Sequence, residues 1–487
     1  MSWIVEQSIS ALQESMSSGD RTAVEIVDAY LERIAAVDPS LRSVVEINPD
    51  AGSIGATLDA ERSGGSVRGP LHGIPILLKE NIDTADAMLT TAGSLALLES
   101  MPTQDSTTAA RLRAAGAVIL GKTAMSEWAF FRSTCGTSGW SARNGQVRNP
   151  YDPARSPGGS SSGSGVAASA NLAAATIGTE TDGSIVSPAT ANGVVGVKPT
   201  VGLTSRAGVV PISRSQDTVG PIARSVHDAA AVLTALAGPD IRDPATVSAV
   251  IHDYVADVDP DGLRGARIGV ATSLFGFSRL ADRVTRAALE LMGSAGAVTI
   301  EVPELRVDPK LRDAELEILL HEFKAGLDEY LAGRTNGSPR TLAEVIAFND
   351  RHREEELQHF GQELLEMAEA RGPLTAEPYL DAVATAVRLA RTEGLDRTLD
   401  DHGLDAIVAP TGAPAAPIDL INGDVRIGGT ATLAATAGYP LISVPAGSAA
   451  GMPVGITFMG RSWSEATLIA LASGFEARRG PRAVPDL

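Results

Sequence analysis

Apolar residues recur at helical spacing through TAVEIVDAYLERIAAV (Thr22–Val37), with Asp20 or Thr22 placed to cap the first turn. Residues 1–38 as a whole read as helices. SVVEI then reads as a short strand, and HGIPILLKENID (His72–Asp83) as an apolar strand that ends in charge. AARLRAAGAVILGKTAMSEWA (Ala109–Ala129) reads as a helix, a glycine break, a buried strand and a loop. GVAASANLAAATIG (Gly165–Gly178) is apolar nearly all round, which predicts a fully buried helix.

Further on, RIGVA (Arg267–Ala271), LDAIVAP (Leu404–Pro410) and LISVPAG (Leu441–Gly447) predict buried strands. Between them lie two long, charged, amphipathic patterns, Asp313–Gly333 and His352–Gly372, both expected to be helices. Alternating helices and strands place the chain in the α/β class. No internal repeat and no polar linker marks a boundary, so one large domain with a helical lobe near 305–400 is expected.

Composition narrows this picture. Of 487 residues, 44% are apolar and 20% charged, as in a globular protein with ample core. Aromatics make up only 4%, so Ala, Val, Leu and Ile must fill that core. A formal charge of -19 argues against nucleic acid as a partner. One cysteine, Cys135, rules out an intramolecular disulfide and suits a reducing compartment. No secretory signal and no apolar run of membrane-spanning length is visible, so a cytoplasmic location without membrane association is expected.

SPGGSSSGSG (Ser156–Gly165) raises the first chemical question. Its composition is that of a flexible linker. Gly159–Gly163 also matches the G-x-S-x-G nucleophile elbow, and Gly163–Ala168 matches a dinucleotide fingerprint, but neither follows a strand as those motifs require. A buried-looking helix follows at once, which a tether would not feed. No metal pattern appears: there is no C-x-x-C, and HEFKA at His321 lacks a second histidine. His352 and His359 sit in a strongly charged segment and read as solvated, His72 reads as structural, and Cys135 reads as a small loop or buried residue.

Two further residues stand out. Lys79 ends the apolar GIPILL run; it is either a surface lysine at a strand mouth or a buried amine serving as a base. Ser184, in GTETDGSIVSPA (Gly178–Ala189), is either a helix N-cap or a nucleophile.

Together GIPILLKENID, SPGGSSSGSG and TETDGSIVSPA resemble the three dispersed motifs of the amidase signature family. Lys79 and Ser160 are 81 positions apart and Ser160 and Ser184 are 24 apart, as that family requires. Similarity continues through NGVVGVKPTVGLTSR, QDTVGPIARSVHDAA, LDAIVAPT and PVGITFMGRSWSEATL, and is weakest around 240–400.

The resemblance implies a central mixed β-sheet surrounded by α-helices. It implies a catalytic triad of Lys79 (base), Ser160 (bridging serine, entered through a cis peptide bond from Gly159) and Ser184 (nucleophile). The backbone N–H groups of Thr181, Asp182, Gly183 and Ser184 would form the oxyanion hole. No cofactor and no metal are implied. The expected substrate is a small neutral, mainly apolar amide, split to acid plus ammonia or amine by a monomer or homodimer.

Three motif positions depart from the family: Glu180 replaces Asp, Asp182 replaces Gly and Val186 replaces Arg. TETDGSIV and FGQELLE (Phe360–Glu366) look like the peptide amidase branch. Aryl acylamidase or hydrazide hydrolase activity is the rival within the class, and a glutamine-amidase subunit of an amidotransferase complex the rival outside it. The mechanism makes one physical demand on Lys79. An ordinary lysine has a pKa of about 10.4, so only roughly 1 in 2,500 is neutral at pH 7. Burial must lower it by about 3 units, worth about 4 kcal/mol, and the apolar run before Lys79 suits that.

Overall fold

Eleven strands hydrogen-bond into one mixed sheet among the described residues of the computed structural model, which are 2–334, 337–425 and 427–487. In chain order the strands are β1 (Val44–Ile47), β2 (Pro75–Lys79), β3 (Val118–Thr123), β4 (Trp140–Ser141), β5 (Gly145–Gln146), β6 (Ala175–Glu180), β7 (Val195–Lys198), β8 (Thr218–Ala223), β9 (Arg267–Val270), β10 (Val298–Glu301), β11 (Ala406–Pro410), β12 (Leu441–Ala449) and β13 (Met452–Met459). β4 and β5 form a separate small ribbon; the others run in the order β1-β3-β2-β6-β8-β7-β12-β13-β11-β9-β10. The expected α/β class with a central mixed sheet and flanking helices is what the chain adopts.

Every residue of β2, β3, β6, β7, β8, β11 and β13 is buried. That explains continuous apolar runs where a half-exposed sheet would alternate. The edge strand β10 is mostly exposed. Strand β2 lies between β3 and β6 and is parallel to both. The C-terminal ends of β2 and β6 therefore open on the same side of the sheet, and this places the site.

The first long helix is Ala23–Leu41, and Thr22 is its cap: Thr22 Oγ1 accepts from the Glu25 N–H (3.1 Å), while the Glu25 carboxylate accepts from the Thr22 N–H (2.9 Å). The amphipathic pattern at 313–333 is a helix, Pro309–Ala332.

Two expected helices are corrected. Within 165–178 the helix ends at Ser169 and β6 begins at Ala175. A segment that is apolar all round suits a buried strand as well as a buried helix, and periodicity cannot separate them. The pattern at 352–372 is only two short helices, Arg353–Glu356 and Glu363–Glu369. Between them Phe360 packs edge-on against Trp140 at 4.9 Å and beneath the Arg132 guanidinium at 4.3 Å. Arg132 Nη1 also donates to the Glu356 carbonyl (2.6 Å). These tertiary contacts hold the chain where helical periodicity would have carried it on.

Candidate active site

Lys79 is the last residue of β2 and has no solvent exposure. Its neighbour on β6 is set by register, Leu78 opposite Ile177, so the lysine reaches Thr179. Nζ donates to Thr179 Oγ1 (2.8 Å), to the Thr179 carbonyl (3.2 Å) and to Ser160 Oγ (2.8 Å). The surface-lysine alternative is thereby excluded. Burial pushes the amine down to about 7, against the opposing pull of the Asp217, Glu180 and Glu80 carboxylates. An amine in that range is deprotonated in useful amounts at neutral pH.

The Gly/Ser stretch is not a linker: it is a stitched loop whose last four residues open the helix Ser162–Ser169. The Gly159–Ser160 peptide bond is cis. Ser161 Oγ donates to the Thr179 carbonyl (3.0 Å), Ser162 Oγ to the Gly158 carbonyl (2.6 Å) and Ser164 Oγ to the Ile177 carbonyl (3.0 Å). Gly163 is a packing glycine: a Cβ there would run into the carbonyl oxygens of Ser43 and Ala124. The fingerprint and elbow matches have no strand before them in the structure either; the preceding residues are a loop.

Ser184 follows β6 by a tight loop. Gly183 adopts φ +82°, a left-handed conformation that glycine tolerates without a Cβ penalty. The Glu180 carboxylate spans the loop, accepting from the N–H groups of Ile185 (2.6 Å) and Val186 (3.0 Å) at the start of helix Val186–Ala191. Glu180, not Ser184, therefore satisfies that helix start. The backbone carbonyl of Ser184 accepts from the Ser161 N–H (3.1 Å), which ties the loop to the residue after Ser160. Thr181 Oγ1 donates to Asp217 Oδ1 (2.6 Å), and Asp217 Oδ2 accepts from the N–H groups of Ile212 and Ser213. The loop is thus held at Thr181, at Ser184 and at Ile185–Val186.

A cavity of about 330 Å³ opens beside Asp182 and Gly183. Phe130, Ser138 and Arg312 line it, and residues 411–416, 424–425 and 427–432 supply much of the rest. Among the described residues, no histidine lines the cavity or touches Lys79 or Ser160. His72 is buried, with Nε2 donating to the Leu58 carbonyl (2.9 Å), as its structural reading expects. His352 is exposed, and His359 is partly exposed while packing edge-on against Trp140 at 5.4 Å. Cys135 lies exposed in a loop. Among the described residues, no group of three His, Cys, Asp or Glu is placed to hold a metal ion, and no helix is long and apolar enough to cross a membrane.

Sequence reasoning missed Thr179, the partner that holds Lys79, and the buried acid Asp217, which burial pushes up to about 6. Asp217 carried a signal: a carboxylate directly ahead of the apolar TVGPIA strand. Thr179 carried none, because a threonine in a buried strand is ordinary.

The amidase family profile matches residues 25–469. The chain belongs to the amidase signature family. Amidases of this family split carboxylic amides at the C–N bond, and this chain is such a hydrolase. Native peptide amidase from Stenotrophomonas maltophilia is 51% identical, with a TM-score of 0.94 and 99% of each chain covered. An amidase family protein of Bacillus anthracis is 35% identical, with a TM-score of 0.90, over 100% of this chain and 93% of its own. A protein of Arabidopsis thaliana named as a probable amidase is 41% identical over 97% of this chain and 90% of its own length.

Proposed function

We propose that this amidase works through a Ser184 acyl-enzyme, with Ser160 as proton relay and Lys79 as base. The observation that carries the reading is the 2.8 Å contact between the fully buried Lys79 Nζ and Ser160 Oγ. The two Thr179 oxygens accept two hydrogens of Nζ. The third direction points at Ser160, where the neutral amine has its lone pair.

Lys79 then takes the Ser160 hydroxyl proton, Ser160 takes that of Ser184, and Ser184 Oγ attacks the amide carbonyl. The N–H groups of Thr181, Asp182, Gly183 and Ser184 receive the developing oxyanion; losing one such donor typically costs about 3–4 kcal/mol. Collapse returns the proton along the chain to the leaving nitrogen. Water, deprotonated by the same relay, releases the acid and restores Ser184.

The whole chain, 1–487, acts as one amidase domain with residues 305–400 as its variable lobe. The preferred substrate offers an uncharged amide beside a mainly apolar acyl residue, a peptide amide above all. The similarity to peptide amidase and the apolar Phe130 and Val186 walls support this. Monomeric or homodimeric action in the cytoplasm fits the same reading. The test is ammonia release by the purified protein alone from peptide amides, set against anilides and hydrazides. Turnover that requires a second, different polypeptide would replace this reading with the amidotransferase one.

A further inference from the structure

We propose that Arg312 determines specificity by binding an oxygen acceptor, a carboxylate above all, carried on the acyl side of the substrate away from the reacting amide. The inference rests on the amidase reading and names what the cleft selects beside Arg312.

Arg312 lies in the first turn of helix Pro309–Ala332 and lines the same cavity as Gly183. Its guanidinium makes no hydrogen bond or ion pair with any described residue. A guanidinium offers five N–H donors in a planar fork suited to carboxylates. The acids that share the cavity are differently placed. Asp182 Oδ2 accepts from Thr432 Oγ1 (2.8 Å) and Asp424 Oδ2 from the Ser138 N–H (3.1 Å). Both negative charges are thus engaged by the protein, while Arg312 keeps its donors for an incoming group.

One turn along the same helix, Glu315 does not compensate it. Glu315 is buried and accepts from Gln216 Nε2 (2.9 Å). Burial and the Asp182 charge push it up to about 8, with the Arg312 charge opposing only weakly, so it is mostly protonated at neutral pH. Val186, where the family motif carries arginine, is apolar, so no guanidinium enters the cleft at that position. The cleft is therefore apolar at Phe130 and Val186 and cationic at Arg312. That combination suits an amide that carries both an apolar residue and an oxygen anion.

The experiment compares three norleucine amides that differ only in their N-terminal cap: succinyl (carboxylate), acetyl (neutral) and β-alanyl (ammonium). Wild-type kcat/KM should rank succinyl above acetyl above β-alanyl. In Arg312→Gln the succinyl-to-acetyl ratio should fall roughly tenfold to a hundredfold, mostly through KM, the scale of a lost charge-assisted hydrogen bond. Arg312→Glu should place β-alanyl above succinyl. Ratios that stay the same in all three proteins overturn the proposal, even if every rate falls together. Calorimetric binding of the same amides in a Ser184→Ala background reads the same ratio. It therefore decides the matter even if turnover fails, which would count against the catalytic reading and not against Arg312.

Discussion

The Glu180 carboxylate reaches past Ser184 to accept the Ile185 N–H at 2.6 Å, so an acid at the end of β6 holds the far side of the loop that carries Ser184. Burial pushes this carboxyl up, and the Lys198 ammonium opposes that shift. Glu180→Ala would leave two N–H groups of a buried loop without their acceptor. It should lower kcat by at least about tenfold and as much as about a hundredfold, because small misplacements of a reacting group are costly. Steady-state kinetics on the folded variant checks this; an unchanged kcat would show that the loop holds itself.

Ser184→Ala should lose both turnover and labelling by a fluorophosphonate. Mass spectrometry of the labelled peptide from the wild-type protein should place the adduct within residues 181–187. An adduct that persists in Ser184→Ala would move the nucleophile to another serine.

Gly163→Ala tests whether the Gly/Ser loop is packed core. The added Cβ meets two backbone carbonyls that cannot step aside. The substitution should cost about 1–3 kcal/mol or more, the range for overpacking. Denaturant unfolding reads the loss, and a neutral result would return the stretch to the status of a linker.

Lys79→Met should stabilise the protein while abolishing activity. In the folded state Lys79 is pushed down to about 7, so between about pH 7 and the ordinary lysine range the unfolded chain binds the extra proton. Stability from this group therefore rises with pH across that window, and its cost is fully present below it. Removing the amine removes the cost, less the three hydrogen bonds it makes, for a gain on the order of 2 kcal/mol at pH 6–7. The gain should shrink towards pH 10. A variant less stable than wild type at pH 6 would contradict the burial cost assigned to Lys79.

Much of this was legible in the sequence because chemistry and strand ends coincide. GIPILLK announced a buried strand ending in an amine, and TETDGS announced a glycine turn before a serine. What could not be read was which side chains meet across the fold. Thr179 contacts Lys79 only because β2 and β6 pair in parallel with Leu78 opposite Ile177, a register no local pattern encodes. The broken helix at 352–372 depends on Trp140 and Arg132, more than two hundred positions away. The buried 165–178 segment divides into helix and strand where apolar composition is uniform. In the first two cases a long-range contact decided the outcome.

The account stands on Lys79 as the base, and the pH profile of kcat/KM for wild type and folded Lys79→Ala tests it most directly. Wild-type kcat/KM should rise with pH along a limb with an apparent pKa of about 7, because only the neutral amine accepts the Ser160 proton. Lys79→Ala should be slowed by several orders of magnitude, lack that limb, and gain rate only with hydroxide. Ser160→Ala should fall between or match it, since residues that act as a unit are not additive. A Lys79→Ala protein with near-native activity and the same limb would contradict the Ser184–Ser160–Lys79 mechanism.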